Sequence, residues 1–341
     1  MYKCAMLGCG PRARGHAAAY KHVQGGNLSA ICDMNEERLD AFSEEFGIET
    51  KYTSYEEMLE KEKPEVLHII TPPTIRHSVM QIASDANVPA VVIEKPIAIQ
   101  AEDFRDLVAL SESTNTKFCV NTQLNFHPAN LRLKQLVNDG RIGDIKFIDA
   151  SARSTPIDQG PHVLQLVSSY IDNSRPTQVF GNISGGENLA GRQPSPDDAT
   201  ATIFYENGVR TSVSFGLRGG PHADDNESRY QHKRVAVYGT EGFAHWRMNG
   251  WECYTKEDGY ESGVHGYGEE DILGQAGLTE AIFAWLDDDN NLHPTHLDQS
   301  LAEFNLLMGM YHSGMTREPI SLPFDPPDNI IESMQGMFPA E

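Results

Sequence analysis

The chain has little cysteine, and none of it is placed as a pair. Cys4, Cys9, Cys32, Cys119 and Cys253 are scattered, with no Cys-x-x-Cys, which argues against a disulfide framework or a zinc site. Four of them lie in or beside expected strands, where a thiol packs as a small hydrophobe. Long apolar runs are missing as well, so a bilayer-spanning helix is not expected. Met1-Tyr2-Lys3 leads straight into the first apolar run; this leaves no room for a signal peptide and points to a cytoplasmic protein. Basic residues are outnumbered: 27 Lys and Arg stand against 49 Asp and Glu, a formal net charge of −22. Such a balance disfavours nucleic acid and anionic membrane surfaces, both of which need basic patches. No internal repeat or low-complexity tract interrupts the chain. With 341 residues, 39% hydrophobic and 22% charged, it is long enough for two well-buried domains.

Against these absences one stretch stands out. An apolar run, Cys4 to Leu7, ends in Gly8-Cys9-Gly10-Pro11-Arg12-Ala13. A helical pattern follows from Ala13 to Val23, and a second apolar run, Leu28 to Cys32, closes on Asp33. Strand, Gly-x-Gly-x-x-Ala, helix, strand and acid form the dinucleotide-binding fingerprint. Gly8 permits the tight turn, Gly10 admits a pyrophosphate, and Ala13 keeps helix and strand close. The helix start favours negative charge. Asp33 can accept hydrogen bonds from a ribose 2′-OH and would repel a 2′-phosphate, which argues for NAD over NADP.

Alternating apolar and amphipathic segments over residues 1–122 read as a parallel sheet flanked by helices, a Rossmann dinucleotide-binding domain. Residues 123–322 read as an α+β substrate-binding and oligomerisation domain with a large, mostly antiparallel sheet. Its expected elements include a helix at Pro128–Asn138, a strand at Ile145–Ala152, a helix from about Gly160 to Tyr170, and a hairpin around Asn207-Gly208. The closing helices are expected at Leu278–Leu286 and Gln299–Ser313. The long segments Ser184–Asp198, Leu217–Gln231 and Glu257–Glu270 read as loops, and residues 323–341 as an extended tail.

Several motifs carry chemistry. Thr71-Pro72-Pro73, with His77 after it, follows the strand Val66–Ile70, at the strand ends where ligands of such sheets bind. Glu94-Lys95-Pro96 follows Ala90–Ile93 in the same way. A lysine there can exchange a proton with a substrate hydroxyl if burial lowers its pKa, or, if charged, steer a developing alkoxide. Gln123 could reach the nicotinamide amide, and Arg153 a substrate hydroxyl or carboxylate. His293-Pro294-Thr295-His296 lacks acidic or thiol partners at suitable spacing and reads as a helix entry, so no metal is expected.

With Gly140-Arg141-Ile142-Gly143, Asp158-Gln159-Gly160-Pro161-His162 and Tyr238-Gly239-Thr240-Glu241-Gly242, these motifs make the chain resemble the glucose–fructose oxidoreductase / inositol dehydrogenase (Gfo/Idh/MocA) family. The resemblance implies cofactor contacts at Gly8, Gly10, Pro11, Arg12, Ala13, Asp33, Thr71, Pro72, Pro73, His77, Glu94 and Lys95. It implies catalytic and substrate roles for Lys95, Asp158 and His162, with His162 as general acid/base. Many members carry an aspartate three residues after the histidine, where this chain has Gln165. The implied activity is oxidation of a secondary alcohol of a sugar, sugar derivative or cyclitol by an NAD-dependent, homo-oligomeric enzyme of carbohydrate metabolism. Two alternatives are an NAD-retaining enzyme that cleaves glycosides through transient oxidation, and a non-catalytic sugar or NAD sensor.

Overall fold

The computed structural model describes residues 1–217 and 229–339, in two compact units. The first comprises Met1–Ala98, Arg105–His127 and Gly268–Ser300; the second comprises Ile99–Phe104, Pro128–Tyr267 and Leu301–Glu341. The class is α/β with a second, α+β unit, as the alternation of apolar runs suggests.

In the first unit the chain runs β1 (Tyr2–Leu7), α1 (Ala13–Ala19), β2 (Gly26–Cys32), α2 (Glu36–Phe46), β3 (Thr50–Tyr52), α3 (Tyr55–Glu62), β4 (Val66–Ile69), α4 (Arg76–Asp85), β5 (Ala90–Glu94), α5 (Ala101–Ser113) and β6 (Lys117–Asn121), although the start of α5 belongs to the second unit. The strands form one parallel sheet in the order β3-β2-β1-β4-β5-β6. Because all run the same way, the segments that follow β1, β2, β4, β5 and β6 leave one edge of the sheet together, where a doubly wound fold builds its ligand crevice. Local chemistry sets the helix ends. Asn35 caps α2 by accepting the Arg38 N–H at 2.8 Å, Ser54 caps α3, and Gly47 ends α2 in the left-handed region.

A boundary at residue 122 does not describe this unit, because Gly268–Ser300 returns to it. The cause is apolar burial: Leu278, Ile282 and Phe283 form one core cluster with Cys4, Val66, Ala90, Val92 and Cys119 of the parallel sheet. They lie on α8 (Tyr267–Asp287), a helix that starts well before the expected Leu278.

The second unit continues with α6 (Pro128–Asn138), β7 (Ile145–Ala152), α7 (Pro156–Tyr170), β8 (Pro176–Ser184), β9 (Asp198–Tyr205), β10 (Arg210–Phe215), β11 (Lys233–Gly239), β12 (Phe243–Arg247), β13 (Gly250–Thr255) and β14 (Gly259–Val264). After α8 come α9 (Leu297–Thr316), β15 (Ile320–Ser321) and α10 (Ile330–Met337). A nine-stranded sheet has the order β14-β13-β12-β11-β7-β10-β9-β8-β15, antiparallel except for β7 beside β10.

Four expectations are corrected here. Helix α1 stops at Ala19 rather than Val23. Glu257–Glu270 is not one loop, since Gly259–Val264 pairs with β13. The tail is not wholly extended, because Ile330, Ile331 and Met334 bury one face of α10. Helix α7 begins at Pro156, not near Gly160, and so includes Asp158. Gly160-Pro161 reads as a break, yet α7 is buried nearly all round, and tertiary packing outweighs the lost donor of Pro161. A Cβ on Gly160 would stand 3.2 Å from Leu307 of α9, so glycine lets the two helices approach. Ser184–Asp198 remains a loop, tied by Asp197 to the N–H groups of Glu187 and Asn188. Most of Leu217–Gln231 lies outside the described residues. Among those described, no helix is long and apolar enough to cross a membrane.

If Gly268–Ser300 is core to the first unit, removing its anchor should unfold that unit early. Phe283 is 3% exposed and stacks on Tyr2 with ring centroids 5.0 Å apart. Phe283→Ala should cost about 3–5 kcal/mol, seen as a lower urea midpoint at unchanged slope. An unchanged midpoint would contradict this packing.

Candidate active site

In the first unit, the turn after β1 is shaped by its two glycines for different reasons. Gly8 has φ +97, and a Cβ there would stand 2.4 Å from the Ile70 carbonyl oxygen, so packing and backbone both demand glycine. Gly10 is different: among the described residues nothing lies within 4 Å of where its Cβ would be. Pro11 and Arg12 follow, and Ala13, fully buried, opens α1.

Asp33, just past β2, is 8% exposed. Its Oδ2 accepts the Cys9 N–H at 2.8 Å, and its Oδ1 accepts the Asn35 N–H at 2.9 Å and Arg38 Nη2 at 3.0 Å. The carboxylate therefore ties the glycine turn to the start of α2 and leaves lone-pair capacity on Oδ2. Arg38 was not singled out from the sequence. The legible signal was an arginine within the first turn of the helix that follows the acid, where it can reach back.

Glu94 ends β5 and is 7% exposed. Its Oε1 accepts Arg12 Nε at 2.8 Å, His16 Nε2 at 2.9 Å and Asn121 Nδ2 at 2.6 Å. Burial pushes this carboxyl up, but the Arg12 charge and the hydrogen bonds from His16 and Arg12 outweigh it, and it titrates well below the usual range. Arg12 also donates from Nη2 to Gln275 Oε1 at 3.2 Å. The structure thus brings Arg12 and Glu94 together as an ion pair. Lys95 follows Glu94 and is half-buried.

Thr71, Pro72 and Pro73 leave the end of β4, and His77 sits half-buried in the first turn of α4. Beside it is a residue that sequence reasoning missed. Arg76 is 2% exposed, donates from Nη2 to the Thr71 carbonyl at 3.3 Å, and has no hydrogen-bond partner at Nε or Nη1 among the described residues. Burial lowers it to about 10, with Glu94 opposing. Its signal was helical spacing: Arg76, Val79, Met80 and Ala83 share the buried face of α4. Gln123 is 3% exposed and donates Nε2 to Asp271 Oδ1 at 2.7 Å, which leaves its Oε1 as the acceptor still without a partner among the described residues. In His293-Pro294-Thr295-His296, His293 meets the Leu278 carbonyl at 3.1 Å and Thr295 on its other nitrogen, a structural tie.

In the second unit, α7 carries Asp158, His162 and Gln165 at spacings of four and three, which puts them on one helix face. Asp158 accepts Ser154 Oγ at 2.7 Å and Gln159 Nε2 at 3.2 Å. His162 is 7% exposed. Gln165 is fully buried, and neither polar atom of its amide has a hydrogen-bond partner among the described residues. Buried amides are costly to leave unpaired, so this one marks a place where a ligand or water completes the set. Arg153 donates Nε to the Leu217 carbonyl at 3.3 Å.

Residues 2–122 match the model of an oxidoreductase family with an NAD-binding Rossmann fold. A D-apiose dehydrogenase of Paraburkholderia graminis is 32% identical over 230 residues, 62% of this chain and 60% of that protein. An inositol 2-dehydrogenase of Rhizobium meliloti is 22% identical, over 70% of this chain and 73% of that one. The chain spans 60%, 41% and 64% of the length of three curated relatives it matches. An Agrobacterium radiobacter oxidoreductase, solved with NAD+, L-tartaric acid and magnesium, superposes with a TM-score of 0.78 at 18% identity, covering 98% of this chain and 99% of that one. At that identity the likeness concerns the fold. Residues 2–122, with their glycine turn and Glu94-Lys95-Pro96, are thus similar to the NAD-binding Rossmann domain of the Gfo/Idh/MocA oxidoreductase family.

Proposed function

We propose that this chain is an NAD-dependent oxidoreductase that oxidises a secondary alcohol of a sugar, sugar derivative or cyclitol. The observation that carries the cofactor half is Gly10. Packing within the chain does not require glycine there, whereas close approach of a pyrophosphate to the turn does. Pro11, Arg12, Ala13, Thr71, Pro72, Pro73 and His77 are the further cofactor contacts in this reading, with Gln123 Oε1 as an acceptor for the carboxamide. The names of the relatives support a polyol substrate, and a net charge of −22 supports a neutral one.

Bound NAD supplies the hydride acceptor. His162 takes the hydroxyl proton, since an imidazole titrates near neutral pH. Asp158, held by Ser154 and Gln159, orients His162 or the substrate. Lys95 polarises the hydroxyl oxygen and stabilises developing negative charge. Gln165 offers a donor and an acceptor to substrate hydroxyls, and Arg153 contributes a further donor.

Asp33 favours NAD over NADP, while Arg38 is the group that a 2′-phosphate would recruit. Calorimetry should show tighter binding of NAD, and Asp33→Ser should narrow the difference. Wild type binding NADP at least as tightly would mean that Arg38 governs the choice.

A panel of sugars and cyclitols, followed by NADH formation, tests the reaction. On a substrate so found, Lys95→Ala and His162→Ala should bind NAD nearly as wild type yet turn over about 10²–10⁴-fold more slowly. Lys95→Arg should not rescue, because the planar fork does not replace a point charge. Near-wild-type turnover by both alanine variants would refute this assignment. Substrate consumption without net NADH would favour glycoside cleavage, and binding without turnover would favour a sensor.

We further propose a homodimer or homotetramer assembled through the nine-stranded sheet. Phe147, Tyr238, Phe243 and Tyr254 stack across neighbouring strands, and Tyr254 is 40% exposed. A second copy would cover such an aromatic face. Light scattering should give an oligomer that the double variant Phe243→Glu, Tyr254→Glu dissociates; a wild-type monomer at micromolar concentration would exclude it.

A further inference from the structure

Two buried histidines of the first unit have no part in the chemistry above. His16 of α1 is 1% exposed and His68 of β4 is fully buried. Tyr20 Oη lies 2.8 Å from His68 Nε2, His68 Nδ1 lies 3.2 Å from His16 Nδ1, and His16 Nε2 lies 2.9 Å from Glu94 Oε1.

The proton positions along this chain follow from valence. Asn121 Nδ2 also lies 3.0 Å from His16 Nε2, but it donates to Glu94 Oε1 at the shorter 2.6 Å, and since an ionised carboxylate only accepts, His16 presents N–H at Nε2. A neutral imidazole has one N–H, so His16 Nδ1 accepts, and the donor facing it is His68 Nδ1–H. His68 Nε2 then accepts, and Tyr20 donates. Both rings are held neutral: burial lowers His68 well below its ordinary value, with His16 adding to it. Burial also lowers His16, with Arg12 adding to it and Glu94 and Asp271 opposing. Every proton therefore points toward Glu94. The far end does not feed protons in, because burial and Cys4 hold the Tyr20 phenol well above its ordinary value. The chain is a fixed array of dipoles rather than a proton wire.

Around Glu94 stand Arg12 from the glycine turn, His16 from α1, Asn121 from β6 and, through charge, Arg76 from α4. Arg12 immediately precedes α1 and is two residues past Gly10, so whatever holds the Glu94 carboxylate also holds the glycine turn. We propose that His16, with its tautomer imposed by His68 and Tyr20, is a positioning residue that aims Glu94 at Arg12 and so keeps the glycine turn in its cofactor-receiving form. This rests on the reading of that turn as the dinucleotide site.

The test has one arm that needs no cofactor. In histidine-labelled wild-type protein, with His16→Gln and His68→Gln used to assign signals, nitrogen NMR should show His16 protonated at Nε2 and His68 at Nδ1. Both rings should titrate below a free imidazole, His68 furthest. A proton on His16 Nδ1, or either ring titrating at or above a free imidazole, would overturn the proposal. The Arg12 Nε–H resonance, slow to exchange in wild type, should become fast-exchanging in His16→Leu. In calorimetry with NAD, His16→Leu should bind about tenfold more weakly, the scale of one lost hydrogen bond to a charged group. His16→Gln, whose amide N–H can replace Nε2–H, should stay within about threefold. If His16→Leu binds NAD as wild type does, the positioning role is wrong. If wild type binds no NAD, the cofactor reading fails, while the tautomers and Arg12 exchange still decide whether the chain holds the turn.

Discussion

A carboxylate taken out of water must be met by donors, and Glu94 is the point around which the first unit is arranged. At 7% exposure its charge would be untenable without Arg12, His16 and Asn121. Those partners come from the glycine turn and the helix after it and from the end of β6, so one desolvated charge ties together the ends of β1, β5 and β6. Asp33 does the same at the end of β2, accepting from Cys9 of the turn and from Asn35 and Arg38 of the next helix start. The edge of the parallel sheet where a dinucleotide is proposed to bind is thus organised by two acids before any ligand arrives.

The second unit solves a different problem. Helix α7 is buried nearly all round, and a helix in that position cannot sort its polar groups by pointing them at water. Its polar residues therefore need partners or ligands. Asp158 has Ser154 and Gln159, while Gln165 has no hydrogen-bond partner among the described residues. The same helix tolerates Gly160 and Pro161 because packing supplies what propensity withholds, and Gly160 admits α9 at close range.

Much of the fold was legible because the signals were local. Period-two and period-3.6 patterning located the six strands of the parallel sheet to within a residue or two, and their helices likewise except α1, which ends four residues earlier than expected. The glycine turn and the acid after β2 were legible as a motif. Gly268–Ser300 was assigned to the second half because chain continuity says nothing about which core a late helix will bury against. Arg76 carried no sequence signal strong enough to single it out, since a guanidinium is ordinarily exposed, and only the surrounding fold shows it at 2%.

By itself the sequence determined the order of strands and helices along the parallel sheet, the glycine turn, the acid that follows β2, and the set of residues able to carry acid/base chemistry. Each depends on neighbours within a few positions along the chain, where propensity and spacing act directly. Only the tertiary structure decided what those residues touch. Asp33 holds the turn as well as facing outward from it, Glu94 is a buried hub rather than a free carboxylate, and His16 and His68 form one oriented chain. Those outcomes depend on desolvation and on contacts between residues far apart in sequence, and neither is set until the sheet has closed around them.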